Sequence, residues 1–287
     1  MMKVLHIIPS SYWSGAEKVV YNLCYGFEKY SDKYEIEVVC GPYNGVLIEE
    51  LKKININVYV LDELSSQSSS LTNLIKSVFT IRKIVKEGKY DIVHLHDHRA
   101  AVFGSLAAKT AGAKKTVCTI HSWWALYEKG KLSTKLLILA ERFVSNFIDN
   151  IVFLSSLDLN QAKKWKIGKE QQYVIIPNAI IPPKQVEKGK LRKELGISED
   201  VKIIGNVARL DRPKNPIRFL KIADKVLKQM ENVVFVWIGG SVVEDEYGEY
   251  VSNFLESHPE YKGRLFFLGF RKDAMELMAD FDVFLLT

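Results

Sequence analysis

The sequence predicts an α/β protein made of two tandem, doubly wound parallel-sheet domains, the second of them incomplete. Three observations predict it. Short apolar runs alternate with longer amphipathic stretches along the 287 residues. Runs such as Val4-Leu5-His6-Ile7-Ile8 are apolar without alternation, which signals burial on both faces and so a parallel sheet clad by helices. The pattern breaks at a Pro-rich segment beginning with Pro177 and then restarts, and a chain of this length accommodates about two domains of roughly 150 residues.

Taken in order, strands are expected at Lys3–Pro9, Glu35–Gly41, Ile56–Leu61, Asp91–His96, Thr116–His121, Asn150–Ser155 and Tyr173–Pro177. Helices are expected between them at Ala16–Lys29, Val46–Ile54, Leu71–Glu87, Ala100–Ala111, Leu132–Phe147 and Leu157–Trp165. In the third of these, Leu71, Leu74, Ile75, Val78, Ile81 and Val85 recur at three- and four-residue intervals, the spacing of one helix face. The segment Pro177-Asn178-Ala179-Ile180-Ile181-Pro182-Pro183 fits neither helix nor central strand, and the Lys/Glu-rich stretch after it reads as a solvent-exposed linker. The domains are therefore placed at 1–178 and 179–287. The second would hold strands Lys202–Ala208, Val233–Gly239, Arg264–Gly269 and Val283–Leu286, with helices Pro216–Met230, Glu246–Leu255 and Ala274–Ala279. It is thin, and it stops at the carboxyl end of a strand, where a loop and a covering helix are expected. The chain reads as a fragment.

Composition narrows the function classes. Hydrophobic residues make up 47% and charged residues 26%, as in an ordinary globular protein, which excludes wholesale disorder. Cys24, Cys40 and Cys118 are far apart and each lies in an apolar run, so they read as buried thiols and not as a disulfide framework or a zinc site. Forty Lys+Arg against thirty-four Asp+Glu give a mild +6, without the basic stripe of a nucleic-acid binder. The excess suits anionic small molecules or an acidic membrane surface. Apolar stretches such as Leu136–Ala140 fall short of the roughly 18 residues of a membrane span. Met1–His6 opens a strand and does not resemble a secretory signal, so a cytoplasmic protein is expected, open to peripheral contact with the inner face of the membrane.

In parallel α/β sheets, ligands bind outside the carboxyl ends of the strands, so residues there are the site candidates. The first strand runs into Ser10–Glu17, where Gly15 would let backbone N–H groups approach an anion at a helix start. The full G-x-G-x-x-G fingerprint is absent. His94 and His96 share a strand face, but no third ligand is placed beside them; His94 reads as a hydrogen-bonded core histidine, and no metal site is expected. His121 leaves the sheet at the ligand edge and can donate to a sugar hydroxyl or a phosphate. In the second half, Arg209 and Lys214 bracket the strand-to-helix turn Arg209–Pro216, and with a helix N-terminus they form a diphosphate receptor; Arg212 reads as solvated. Gly239-Gly240-Ser241 and Gly269-Phe270 follow the next two strands and permit close approach of a nucleotide. Asp280-Phe281-Asp282 has the form of a metal-binding D-x-D, but it lies at the opposite edge and reads as helix-end chemistry. Trp123-Trp124 and Tyr127, with Lys129, Lys131 and Lys135, suit a membrane interface, against the commoner reading as a core helix with a basic rim.

The ordered set Ser14-Gly15-Ala16-Glu17, His94-x-His96-Asp97, Thr119-Ile120-His121, Pro177-Asn178, Val207-Ala208-Arg209-Leu210 with Lys214, Ile238-Gly239-Gly240 and Phe267-Leu268-Gly269-Phe270 resembles family 4 glycosyltransferases of the two-Rossmann-domain GT-B fold. The resemblance covers essentially the whole chain. It implies retaining transfer of a sugar from a UDP- or GDP-linked donor to a polysaccharide, lipid-linked or other glycan acceptor, with no obligatory metal or other cofactor and no nucleic-acid partner. It places Arg209, Lys214 and Gly15 on the donor diphosphate, His121 on the transferred sugar as the catalytic candidate, and Gly239, Gly240, Gly269 and Phe270 on the nucleotide. Ser14 stands where the family has the first glycine of a pair, and Ala179 follows Pro177-Asn178 where it has glycine. The family's two glutamates, eight residues apart, would fall beyond Thr287. Two alternatives remain open: a non-catalytic nucleotide-sugar binding protein, should the chain end there, and a nucleotide-sugar 2-epimerase of the same architecture.

Overall fold

In the computed structural model the alternation resolves into two separate parallel sheets. The structure describes residues 1–28, 30–42, 45–64, 71–123, 131–181, 186–240 and 246–287. Lys29, Trp124, Tyr127, Lys129, Pro182, Pro183 and Ser241, named above, lie outside the described residues. The chain divides into two compact units, Met1–Ile181 and Pro182–Thr287.

The first unit contains β1 (Met2–Ile8), α1 (Gly15–Glu28), β2 (Tyr34–Cys40), α2 (Val46–Lys53), β3 (Asn57–Val60), α3 (Leu71–Gly88), β4 (Ile92–His96), α4 (Asp97–Ala111), β5 (Lys115–Ile120), α5 (Lys131–Val144), β6 (Asn150–Phe153), α6 (Ser156–Trp165) and β7 (Tyr173–Ile175). Its strands lie in the order β3-β2-β1-β4-β5-β6-β7, every pair parallel. Successive residues of a strand face opposite ways. Val4 and Ile8 accordingly join a core with α1 and α2, while Leu5 and Ile7 join a larger one built with α3, α4, α5 and α6. Cys24, Cys40 and Cys118 are free and fully buried, and burial pushes the thiols of Cys24 and Cys40 up to about 12.

The second unit contains α7 (Lys190–Leu195), β8 (Lys202–Val207), α8 (Pro216–Leu227), β9 (Val233–Ile238), α9 (Glu246–Ser257), β10 (Leu265–Phe267), α10 (Ala274–Leu277) and β11 (Val283–Phe284). Its sheet order is β10-β9-β8-β11, again all parallel. Every residue of β9 is buried, as a central strand covered on both faces requires. Phe219 of α8 packs its ring edge-on against Phe235 and Trp237 on one face. Leu191 and Leu277 fill the other.

Three differences from the sequence reading have physical causes. The stretch read as linker contains α7, whose Leu191 is fully buried. Its N-terminus is capped from across the unit: Leu191 N–H and Arg192 N–H donate to the Asp280 carboxylate at 2.7 and 3.2 Å. Helix α4 begins at Asp97, immediately after β4, because Asp97 takes φ 77° and turns the chain in a single residue. The α5 helix ends at Val144 and tightens into a 3-10 turn over Ser145–Phe147.

Both sheets contain a point where connections leave in opposite directions: between β1 and β4 in the first, and between β8 and β11 in the second. Crevices outside the strand ends at such points are where open α/β sheets bind ligands.

Candidate functional site

At the first sheet's carboxyl edge, the β1–α1 loop is held by a buried carboxylate. Ser14 precedes α1 and Glu17 lies three residues on, the spacing of a capping box. The Ser14 N–H donates to Glu17 at 3.2 Å, and the hydroxyls of Ser10 and Ser14 also bond to it. Glu17 is 4% exposed. Gly15 therefore opens a helix whose first turn is already fixed. A Cβ there would meet nothing within 4 Å, so the space over it is open to a ligand.

Across the switch point, β1, β4 and the end of β5 bring four histidines into one chain of contacts. The parallel register sets His6 beside His94. His6 Nδ1 lies 3.0 Å from His96 Nε2, and His96 Nδ1 lies 3.1 Å from His121 Nε2. His94 Nε2 bonds to the Thr119 hydroxyl at 2.8 Å. Burial holds His6 down to about 4 and His94 and His96 well below the ordinary value; it lowers His121 as well. The rings are neutral at pH 7, so each carries one N–H. His6 Nε2 is buried without a partner among the described residues. Were it an N–H, a donor would be stranded in the core; as a lone pair it costs less, since orphaned buried N–H groups are the rarer kind. The chain then runs His6 Nδ1–H to His96 and His96 Nδ1–H to His121, leaving His121 with its proton on Nδ1. The arrangement makes His121 a hydrogen-bond donor at the sheet edge.

His6, His94 and His96 also have ring nitrogens within 4.8 Å of one another, the spacing of a metal-ligand set. The donor set fits a metal poorly. His96 spends both ring nitrogens and His6 its Nδ1 on the imidazole chain, His94 Nε2 is taken by the Thr119 hydroxyl, and among the described residues no carboxylate joins the set to balance a divalent charge.

His98, at the start of α4, behaves oppositely. Its Nδ1 lies 3.1 Å from Glu141 of α5 and its Nε2 lies 2.8 Å from the Ser122 carbonyl. Burial acts to lower its pKa, but Glu141 and Asp97 outweigh that and raise it to about 9. The protonated ring thus clamps the residue following His121. Trp123, for which the core was the commoner of two readings, is 4% exposed. Its indole N–H donates to the Asp158 carbonyl at 3.0 Å and its ring packs edge-on to Trp165. The membrane alternative is set aside for Trp123, since its polar tip and its apolar body are both satisfied inside the unit.

In the second unit, the loops after β8, β9 and β10 are stitched together. Leu210 N–H donates to the Gly240 carbonyl at 3.1 Å and Gly239 N–H to the Gly269 carbonyl at 2.7 Å. Gly239 has φ 133°, and a Cβ on it would lie 1.9 Å from the Ala208 carbonyl oxygen, so no other residue fits. This brings Arg209, Gly239, Gly240, Gly269 and the half-exposed Phe270 to one edge. The exposed Arg209 guanidinium pairs with the partly buried Asp211 carboxylate at 2.6 Å. Lys214 sits in a 3-10 turn just before α8; its carbonyl accepts from the Thr287 hydroxyl at 2.7 Å, and the exposed Arg212 starts the same turn. Gly15, grouped with Arg209 and Lys214 by the resemblance, belongs to the other unit. Asp280 caps α7, and Asp282 accepts from Ile203 N–H at 2.9 Å and pairs with Arg192 and Lys202. Both carboxylates of the D-x-D are thus structural.

Sequence reasoning missed His6, Glu141 and Asn206. Asn206 lies one residue before the end of β8, 1% exposed, with neither amide atom partnered among the described residues. Only the Ser-x-x-Glu capping signature was available from spacing. The others depend on which strands and helices become neighbours.

Comparison with known proteins places the family and the fold. Residues 13–184 match the model of Glycosyltransferase Family 4, and residues 187–287 match that of Glycosyl transferases group 1. The Escherichia coli UDP-Gal:alpha-D-GlcNAc-diphosphoundecaprenol alpha-1,3-galactosyltransferase is 26% identical over 267 residues, covering 89% of this chain and 66% of that protein. The chain therefore spans slightly less than two thirds of that relative's length. Anabaena Alr3699/HepE, crystallised with UDP and glucose, superposes with a TM-score of 0.76 at 20% identity, covering 100% of this chain and 74% of that one. A Listeria monocytogenes protein described as a UDP-N-acetylglucosamine 2-epimerase shares the fold, with a TM-score of 0.69 at 15% identity over 99% of this chain and 73% of its own. Two doubly wound units of GT-B type, with a family match over most of the first and nearly all of the second, establish that the chain belongs to glycosyltransferase family 4.

Proposed function

We propose that the protein transfers a hexose from a UDP- or GDP-linked donor to a lipid-linked glycan or polysaccharide acceptor, with retention at the anomeric carbon, on the cytoplasmic side of a membrane. The observation that carries this reading is the β8–α8 turn, which sets Arg209 and Lys214 at the switch point of the second sheet beside the loops of Gly239 and Gly269. A pyrophosphate leaving group gathers negative charge as the glycosidic bond breaks, and two fixed cations offset it most where that charge is greatest. Arg209 and Lys214 would fill the role that a divalent ion takes in other sugar transfers, which is why no metal is required. His121, with its proton on Nδ1, would donate to a hydroxyl of the transferred sugar. Gly239, Gly240, Gly269 and Phe270 would receive the base and ribose, and Gly15 would admit the sugar phosphate to the open α1 terminus. The lipid-linked acceptor is favoured because the E. coli relative is named for transfer to a diphosphoundecaprenol-linked sugar. The UDP donor is favoured by that name and by the UDP bound to HepE.

The test is transfer from UDP-galactose and GDP-mannose to a diphosphoundecaprenol-linked GlcNAc acceptor, with the product anomer read by NMR. Lys214→Ala is expected to cost about 2–4 kcal/mol of transition-state stabilisation, a rate lower by roughly 30- to 900-fold. An unchanged rate removes Lys214 from the diphosphate. An inverted product overturns retention, an epimerised donor formed without acceptor supports the epimerase, and UDP binding without turnover supports a binding protein.

A further inference from the structure

One polar residue interrupts the apolar run of the first strand. In Val4-Leu5-His6-Ile7-Ile8, His6 is 1% exposed, as buried as its neighbours, and it faces the same side of the sheet as Val4 and Ile8. Burying an imidazole where a valine would pack is unfavourable unless its nitrogens are used. His96, fully buried on the neighbouring β4, repeats that cost. His121 ends the row of bonded rings and is only half-buried. The row therefore starts in the core and finishes at the ligand edge, just past β5.

Three neutral imidazoles bonded head to tail have two polarities. In one, the Nδ1–H groups of His6 and His96 donate outward and His121 keeps its proton on Nδ1. In the other, His121 Nε2–H donates to His96 Nδ1, His96 Nε2–H donates to His6 Nδ1, and His6 must carry its own proton on Nε2. Only the second strands an N–H, because His6 Nε2 is the atom without a partner among the described residues. The choice is thus made at His6, two links from the site. His96 transmits it, since the bond made by one ring nitrogen settles which of the two is protonated. His94 stands outside the row: its Nε2 bonds to the Thr119 hydroxyl at 2.8 Å, and a hydroxyl serves either tautomer. The backbone beside His121 is held separately, by His98 Nε2 on the Ser122 carbonyl at 2.8 Å. Loop position and proton position therefore have different causes.

We propose that His6 and His96 are positioning residues of the transfer site: acting through His121, they keep its proton on Nδ1 and make that ring a donor, never an acceptor, toward the sugar. With Nε2 accepting from His96 and Nδ1 protonated, His121 has no lone pair left to take a proton from an attacking hydroxyl. It orients the sugar and is not a general base. The role toward the sugar rests on the proposed function; the proton placement rests on the geometry of the row alone.

The experiment is two-bond proton–nitrogen correlation NMR of the full chain carrying nitrogen-15 histidine, with the His121 signals assigned by their loss in His121→Gln. The parent is expected to show His121 protonated on Nδ1 and bare on Nε2. His6→Asp sets an acceptor without a proton opposite His96 Nε2. It should reverse the row, move the His121 proton to Nε2, and lower kcat for sugar transfer about 10- to 100-fold with little change in donor KM. In His6→Asn an amide N–H stands where Nδ1–H stood, and both the Nδ1 proton and the rate should be rescued. A parent spectrum with His121 protonated on Nε2 overturns the proposal, whether or not His6→Asp folds. So does a folded His6→Asp protein that loses rate while His121 keeps its Nδ1 proton, since that loss would be structural. An unchanged rate with the proton moved overturns it as well. Proton placement as expected in a parent that transfers no sugar leaves the row standing and removes the transferase reading instead.

Discussion

Buried imidazoles hold opposite charge states on the two sides of the β4–α4 junction. His98 is raised from its ordinary 6.5 to about 9, with Glu141 and Asp97 outweighing burial, whereas burial alone takes His6 down to about 4. The signs fix two pH windows. The His98 contribution is complete below pH 6.5 and is lost as pH rises through about 9, where the folded ring finally gives up its proton. The neutral His6 contributes above 6.5, and stability is lost as pH falls from there toward 4, because the unfolded chain binds the proton first. Stability of the first unit is therefore expected to peak between the two limbs, with the alkaline limb falling by about 3 kcal/mol. Glu141→Gln should flatten that limb and leave the acid limb in place, read from urea unfolding as a function of pH. An alkaline limb unaltered in the variant would mean that His98 is not charged in the fold. These residues also show what a sequence conceals. His94, His96 and His121 could be named because they sit at strand ends, a local property. His6 could not, because its bond to His96 joins residues 90 apart and exists only once β1 lies beside β4.

Among the elements, α7 shows the same limit and offers a second test. A six-residue helix has little stability of its own, since nucleation costs more than so few hydrogen bonds return. It forms because Leu191 is buried in the sheet's core and because Asp280 accepts its leading N–H groups from 88 and 89 residues away. Neither cause is visible in Lys190–Leu195 itself, so the segment reads as linker from composition. The strands were legible for the opposite reason: unbroken apolar runs are a local signature of a strand covered on both faces. Asp280→Ala should cost about 2–3 kcal/mol, the loss of a cap together with a stranded N–H at the buried Leu191. Asp280→Asn keeps an acceptor and should cost about 1 kcal/mol or less. Denaturant unfolding separates the two, and equal losses would show that the negative charge matters more than the cap. The glycine loops were legible as turns, but the requirement at Gly239 is stricter than a turn. With the Ala208 carbonyl oxygen 1.9 Å from where a Cβ would sit, Gly239→Ala must displace the loop that positions Arg209. Nucleotide affinity should fall with it, measured by calorimetric titration with UDP.

Over the whole molecule, the cores are as separate as the sheets. Each of the four buried clusters draws its residues from one unit, two from Met1–Ile181 and two from Pro182–Thr287. Cooperative unfolding follows shared cores, so each unit is expected to unfold as its own two-state element. The residue and element predictions then become a single experiment on the intact chain. In differential scanning calorimetry, Glu141→Gln should shift a transition belonging to the first unit, and only at pH values where His98 is charged in the parent. Asp280→Ala should shift a transition belonging to the second unit by roughly 10 °C, as a loss of 2–3 kcal/mol implies for a domain of about 100 residues. Adding UDP should raise that same second transition if Arg209, Lys214 and the glycine loops bind the donor, since a ligand stabilises the unit that holds it. Movement of both transitions by every perturbation would mean that the units unfold as one.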